Sequence, residues 1–470
     1  MAGLYLQGEE GMKLRSRLFS FWLKHRPRQL SATKIIALAF AAIILLGTLL
    51  LMTPAASRDG VSCGALPALF TATSATCVTG LVLYDTWTQW SGFGQVVIIS
   101  LIQVGGLGFM SVATLFVFLL GRKIGLKQRL VMAQALSLSD MEGVVRIQKM
   151  MLIGSLSLEA LGALILTVHF WPDYGFPTAL KWGVFHAISA FCNAGFDILG
   201  CVESGVSLEA FNGDPVLLLT LGTLVTVGGL GFLVWEELVS KRRWKRFSVY
   251  TRLVLLTTLA LLLAGWAGTC LLEWNNPGTL GPMSTGDKLV NGLFQSITLR
   301  TAGFAAIDQG KLTEAGKGFS IGLMLIGGSS GSTAGGLKTV TFVVLVLFMA
   351  ARARGRSSVC VFKRTIPEHQ IQDAMTIALI MVGLSVFGGI FISATSPVGF
   401  ADGLYEAVSA LATVGVTAGA TGELSIASKL LMILYMYFGR VGVLTISLGF
   451  LMGDTAQERF RYAQTNLLIG

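Results

Sequence analysis

The sequence predicts an all-α polytopic membrane protein of four repeated helix–pore-loop–helix units around a pseudo-fourfold axis. Three observations predict it. Hydrophobic residues make up 53% of the 470 and charged residues 13%, about half the charge of a soluble domain. Eight apolar runs are long enough to cross a bilayer, with a shorter apolar stretch between the members of each successive pair. Each short stretch ends in Ser or Thr followed closely by glycine.

A spanning helix needs about 20 mostly apolar residues. The runs that qualify are 34–56, 93–120, 148–172, 214–237, 250–272, 318–350, 372–395 and 427–452. The shorter stretches, 65–81, 179–196, 286–304 and 401–416, cannot span. They read as re-entrant segments, tolerated where irregular backbone is buried in protein or lines a cavity. The chain divides into a basic N-terminus (1–33), repeats at 34–120, 148–237, 250–351 and 372–453, and a C-terminal tail (454–470). Cys63, Cys77, Cys192, Cys201, Cys270 and Cys360 form no CxxC pair. They read as small buried hydrophobes rather than a disulfide or zinc framework.

The net charge of +10 has a topological explanation. On the eight-span reading, 26 of the 35 Lys and Arg fall on one side, in 1–34, 121–149, 241–252, 352–364 and the tail. Seven fall on the other. By the positive-inside rule the basic side is cytoplasmic and holds both termini. No nucleic-acid partner is needed; anionic membrane lipid is the only partner the charge suggests.

The repeat is explicit in the strings. Ser74-Ala-Thr-Cys-Val-Thr-Gly80, Ser189-Ala-Phe-Cys-Asn-Ala-Gly195, Thr298-Leu-Arg-Thr-Ala-Gly303 and Ser409-Ala-Leu-Ala-Thr-Val-Gly415 follow one pattern. An aromatic (Phe70, Phe185, Phe294, Tyr405) stands four residues before each Ser or Thr. A second echo follows each loop: Val104-Gly-Gly-Leu-Gly-Phe109, an identical string at 227–232, Ile326-Gly-Gly-Ser-Ser-Gly331 and Phe438-Gly-Arg-Val-Gly-Val443. One glycine motif in a membrane helix is usually packing. Four in register are not.

Four such loops around one axis would stack rings of backbone carbonyls, the chemistry by which potassium filters replace an ion's hydration shell. The candidate ligands are the carbonyls of Val78, Thr79 and Gly80, of Asn193, Ala194 and Gly195, of Thr301, Ala302 and Gly303, and of Thr413, Val414 and Gly415. Only the fourth triplet matches the first three residues of the channel signature Thr-Val-Gly-Tyr-Gly.

The glycine quartet, with Cys-Val-Thr-Gly-Leu, Asn-Ala-Gly-Phe, Arg-Thr-Ala-Gly-Phe and Gly-Ser-Thr-Ala-Gly-Gly, resembles the Trk/Ktr/HKT superfamily of potassium transporters over residues 30–455. The chain looks most like its KtrB branch, because the first span leads directly into the first loop; the TrkH branch has two additional N-terminal helices. The resemblance implies potassium uptake across the cell inner membrane by a homodimer with one pore per subunit. It also implies a cytosolic nucleotide-binding regulatory ring of KtrA type. No cofactor is expected in the chain itself; potassium is the substrate ion and sodium a candidate activator. The alternative is a sodium-coupled or sodium-permeable member. Serine in place of the first filter glycine marks some sodium-carrying relatives, so the intact Gly80 favours potassium.

The stretch Gly327, Gly328, Ser329, Ser330, Gly331, Ser332, Thr333, Ala334, Gly335 and Gly336 interrupts the sixth long run. Such residues make a poor helix interior. Read alone, the stretch is a glycine-rich kink filled by neighbours or the lining of a cavity beneath the filter. The resemblance implies an intramembrane gating loop. Arg440 stands where the other echoes have Gly106, Gly229 and Gly328, and is expected to bond the loop's carbonyls or hydroxyls. Arg300 is expected to point behind the filter toward a carboxylate such as Asp308 or Glu314, and Lys338 to snorkel. Two enzyme-like strings fail. Gly328-Ser-Ser-Gly331 has no nearby histidine base, and Leu337 interrupts the Gly-Lys-Thr of a phosphate loop.

Overall fold

The computed structural model describes residues 32–108 and 144–442. It is helical, and one order of elements recurs four times. The first set is α1 (Ala32–Leu51), α2 (Ala65–Cys77) and α3 (Gly92–Leu107). The second is α4 (Val144–Tyr174), α5 (Phe176–Phe191), α6 (Pro215–Leu230) and α7 (Phe232–Lys241). The third is α8 (Val249–Glu273), α9 (Thr285–Thr298), α10 (Glu314–Met324) and α11 (Thr339–Ala353). The fourth is α12 (Glu368–Thr395), α13 (Phe400–Leu411) and α14 (Ile426–Val441). The third and fourth sets are joined by a hairpin of β1 (Cys360–Val361) and β2 (Arg364–Thr365), paired antiparallel.

Among the described residues four helices are long and apolar enough to cross a membrane: α1 from Lys34, α4, α8 and α12. Each opens a set. Their outer faces are apolar yet exposed, as at Leu161, Leu164 and Val168 on α4, Leu256, Leu259 and Leu263 on α8, and Leu379, Val382 and Ile390 on α12. An apolar band of this extent belongs against lipid rather than water.

The short helices α2, α5, α9 and α13 lie inside. The aromatics picked out by the repeat, Phe70, Phe185, Phe294 and Tyr405, are all buried. The helix after each short one starts on a side-chain cap. Ser91, Asp214, Thr313 and Ser425 accept from backbone N–H groups two or three residues on. Each cap is worth about 1 kcal/mol, and each fixes where the chain turns back after its glycine loop.

Two expectations need correction. The runs 93–120, 214–237 and 427–452 are not continuous spans, whereas 318–350 is interrupted where the sequence places its glycine-rich stretch. α3 stops at Gly108 (φ 81°), α6 at Gly231 (φ 89°) and α14 at Gly442 (φ 96°), each beyond the range a helix tolerates. At Gly231 the chain bends by 93° into α7. The break in the third set is wider, running from Leu325 to Lys338. Positive φ ends the hydrogen-bond ladder without a steric penalty only at glycine. The cysteines also divide: Cys77 and Cys192 are buried, but Cys201, in a loop, and Cys360, in β1, are exposed. The basic N-terminus, the segment 109–143 and the C-terminal tail, with the orientation assigned to both termini, lie outside the described residues.

Candidate functional site

Each short helix ends in the same turn. The residue two before its glycine is left-handed in all four: Val78 (φ 57°), Asn193 (φ 60°), Thr301 (φ 69°) and Thr413 (φ 52°). The glycines follow at φ 101°, 68°, 87° and 98°. A left-handed non-glycine residue costs roughly 1–3 kcal/mol, and such strain gathers at functional sites.

The Ser or Thr that opens each motif holds this turn from inside. Its carbonyl accepts from the N–H of the residue before the glycine: Thr79 to Ser74 (2.8 Å), Ala194 to Ser189 (2.7 Å), Ala302 to Thr298 (2.9 Å) and Val414 to Ser409 (2.8 Å). The hydroxyls cross the same turn. Ser189, Thr298 and Ser409 donate to the carbonyls of Phe196, Phe304 and Val416. Ser74 and Ser409 accept from the N–H of Gly80 and Gly415. The third turn keeps these contacts with one residue fewer.

The four turns meet. A Cβ on Gly80 would lie 2.6 Å from the Ala194 carbonyl oxygen, one on Gly195 2.7 Å from that of Ala302, and one on Gly303 2.9 Å from that of Val414. One on Gly415 would collide with the Thr79 oxygen. Every glycine faces the carbonyl preceding the next set's glycine, and the ring closes on itself. Any side chain at this level would fill it. The buried hydroxyls of Thr79, Thr301 and Thr413 and the Asn193 amide nitrogen have no hydrogen-bond partner among the described residues. Buried polar atoms are rarely left so without water or an ion to satisfy them.

The 327–336 stretch packs against this ring. Thr333 Oγ1 bonds Asn193 Oδ1 at 2.9 Å, and a Cβ on Gly335 would collide with Thr413 Oγ1. Several further bonds run to the kinked end of α6. Ser329 N donates to Gly229 O (3.1 Å), Ser329 Oγ to Leu230 O, and Phe232 N to Gly331 O (3.0 Å). Tyr250 Oη donates to Ser330 O (2.9 Å), and Ser332 Oγ to Ser329 O (2.7 Å). At the stretch's base Thr339 N donates to Gly328 O (3.0 Å), while Gly336 takes φ 65° beside the Ala412 carbonyl.

Three basic residues hold the stretch. Arg440 donates to the carbonyls of Thr333, Gly105 and Gly106, as its place in the repeat predicts. Lys338 does not snorkel; its Nζ donates to Ala334 O at 2.8 Å. Arg300 corrects the expected carboxylate brace. Its Nη2 donates to Gly327 O (3.1 Å) and Thr339 Oγ1 (3.2 Å). Asp308 is engaged with Lys311 at 2.9 Å.

Sequence reasoning missed a buried acid. Glu159 on α4 accepts from Gln103 Nε2 with both oxygens (3.1 and 2.9 Å) and lies beside Cys192, next to Asn193. Its signal was available as an acid inside an apolar run.

The family model described as TrkH, cation transport protein, matches residues 18–458. The chain belongs to the TrkH family of cation transport proteins. It is 40% identical over 450 residues to the Ktr system potassium uptake protein B of Bacillus subtilis, covering 96% of this chain and 98% of that one. It is 37% identical to the potassium/sodium uptake protein NtpJ of Enterococcus hirae, covering 95% and 99%. The crystal structure of the potassium transporter TrkH from Vibrio parahaemolyticus matches with a TM-score of 0.69 at 18% identity, over 92% of this chain and 86% of that one. At that identity the likeness is one of fold, and the helical order described above is that of a TrkH-family chain.

Proposed function

We propose that this chain carries potassium into the cell through the ring formed by Gly80, Gly195, Gly303 and Gly415. The observation that carries the reading is the closed cycle in which each glycine meets the carbonyl before the next. The carbonyls of Val78–Gly80, Asn193–Gly195, Thr301–Gly303 and Thr413–Gly415 replace the ion's water shell. The unpartnered hydroxyls of Thr79, Thr301 and Thr413, on the same turns, are further oxygen ligands for the ion. The C-terminal ends of α2, α5, α9 and α13 lead into the ring, and a helix C-terminus carries about half a negative charge. Cations therefore gain and anions lose there. The names of the two relatives, potassium uptake and potassium/sodium uptake, agree with this chemistry.

On this reading the four sets are pore repeats around an ion pathway, and 327–336 is the gate. It lies against Asn193 and Thr413 at one end of the ring and is locked at its tip by Arg440. Few apolar side chains hold it; its carbonyl and hydroxyl bonds to α6 must exchange for others when it moves. The assembly is a homodimer in the inner membrane with both termini cytoplasmic and a cytosolic nucleotide-binding ring as regulator. The Bacillus subtilis relative, named as protein B of a Ktr system, supports a multi-component assembly. Potassium rather than sodium is the transported ion, which the intact Gly80 favours, and sodium is a candidate activator.

Rubidium tracer uptake into proteoliposomes of the purified chain tests the proposal. Unlabelled potassium should compete with the tracer and equal sodium should not. Equal competition by both ions would overturn it in favour of a non-selective cation pathway.

A further inference from the structure

Two arginines, Arg300 buried and Arg440 half-buried, break the fourfold pattern, and both hold the same stretch of chain. Counted back from the ring glycines, Arg300 occupies the place of Cys77, Cys192 and Ala412 in the other sets. Arg440 replaces glycine in the later echo. Arg440 grips the tip of 327–336. Arg300 grips its neck.

That neck is a closed polar knot. Arg300, 8% exposed, donates from Nη2 to Gly327 O at the stretch's start and to Thr339 Oγ1 beyond its end. Thr339 Oγ1 donates in turn to Gly327 O (3.0 Å), and Gly327 N to Leu337 O (2.9 Å). Ile326 and Leu337 form a parallel bridge across the same point. A planar guanidinium can serve two acceptors from one side. No carboxylate pairs with it among the described residues. Arg300 is also part of the third turn, three residues before Gly303, and Thr339 is the first residue of α11, which leads to the β1–β2 hairpin.

We propose that Arg300 is a positioning residue that ties the third ring turn to the first residue of α11, so that displacing α11 changes the ring's selectivity as well as the gate. This rests on the ring being the selectivity site. The tip and the neck then have different work. Releasing Arg440 frees the tip while the neck stays fastened, and flux rises at unchanged selectivity. Releasing the neck lets Thr301–Gly303 shift, and selectivity falls.

The test compares the rubidium-to-sodium uptake ratio of wild type, Arg300→Lys, Thr339→Val and the double variant in proteoliposomes. Thr339→Val keeps volume, changes no residue of the ring turns and removes one hydroxyl. Arg300→Lys keeps the charge and loses the fork. Loss of a charge-assisted bond of this kind corresponds to about a tenfold change in an equilibrium. We therefore expect the ratio to fall about tenfold in Arg300→Lys and about threefold in Thr339→Val. The double variant should be no worse than Arg300→Lys alone, because the two residues act through one knot. A purely structural role would lower incorporation or unfolding temperature and leave the ratio alone. Ratios unchanged in both single variants, with a selective wild type, overturn the strut and leave the ring intact. Additive losses in the double variant also overturn it. A wild type without preference for rubidium overturns the ring reading, and the strut with it.

Discussion

Arg440 donates to the Thr333 carbonyl at the tip of the 327–336 stretch and, from the same guanidinium, to the carbonyls of Gly105 and Gly106 at the end of α3. One side chain of the fourth set thus fastens the third set's loop to the first set's helix. Thr333 continues the chain of contacts to Asn193 in the ring. Among the described residues its hydrogen-bond acceptors are backbone oxygens, so the guanidinium is a clamp on geometry.

Removing the clamp should open the gate. A charge-assisted hydrogen bond is worth roughly 1.5–3 kcal/mol. Arg440→Gln should therefore shift the closed–open balance by about tenfold to a hundredfold. Rubidium uptake per incorporated protein should rise without a regulatory partner, and rejection of sodium should persist. A folded, inserted variant no faster than wild type would make Arg440 a structural brace.

Gly303→Ser should weaken selectivity. The new Cβ would sit 2.9 Å from both Val414 O and Gly195 Cα, in a residue held at φ 87°. The turn must open to admit it, and the ring widens or is blocked. Sodium competition with rubidium uptake should increase while membrane insertion holds. An unchanged ratio in a well-expressed variant would remove Gly303 from the ring's function.

Much of this was readable in advance, for a physical reason. A left-handed turn leaves a glycine in the sequence, and the Ser or Thr that ties it leaves a hydroxyl at fixed distance, so Ser74–Gly80 and its three partners stand out. The breaks at Gly108 and Gly231 were harder to see, because Leu and Phe flank them and hydropathy runs straight across. The third glycine of each Val-Gly-Gly-Leu-Gly-Phe string was the available signal. The sequence points Arg300 to a carboxylate because acids are visible in it and backbone carbonyls are not. Its true acceptors, Gly327 O and Thr339 Oγ1, are defined only by the fold. The carbonyls of α6 that hold the loop were hidden for the same reason.

External pH should tune uptake through two acids outside the spanning helices. Burial, with Asp308 nearby, raises the Glu209 carboxyl to about 7; burial and Asp85 raise that of Asp197 to about 6. Leu208, beside Glu209, donates to the Ala305 carbonyl just past Gly303. Both acids are charged above their raised values and neutral below them. Acidifying from pH 8 to pH 6 thus removes negative charge near the third turn, and uptake at low potassium should fall by about twofold. Glu209→Gln should start lower and lose the part of the fall near pH 7. Identical pH profiles for the two proteins would dissociate Glu209 from ion entry.

Two natural cysteines report topology. Cys201 follows the second ring turn and Cys360 lies in the β1–β2 hairpin; both are exposed. Hydrogen bonds from Thr365 and Ser358 hold the Cys360 thiol below its ordinary pKa, so it should react quickly once reached. A membrane-impermeant maleimide should label Cys201 on intact cells and Cys360 only after permeabilisation, with Cys201→Ser and Cys360→Ser as controls. The reverse order would invert the membrane orientation.

The ring itself can be seen directly. Crystals grown in rubidium should show anomalous density where the carbonyls of Thr79, Ala194, Ala302 and Val414 converge, and replacing rubidium with sodium should abolish it. Rubidium peaks confined to other parts of the molecule, with this ring well ordered and free of density, would contradict the account.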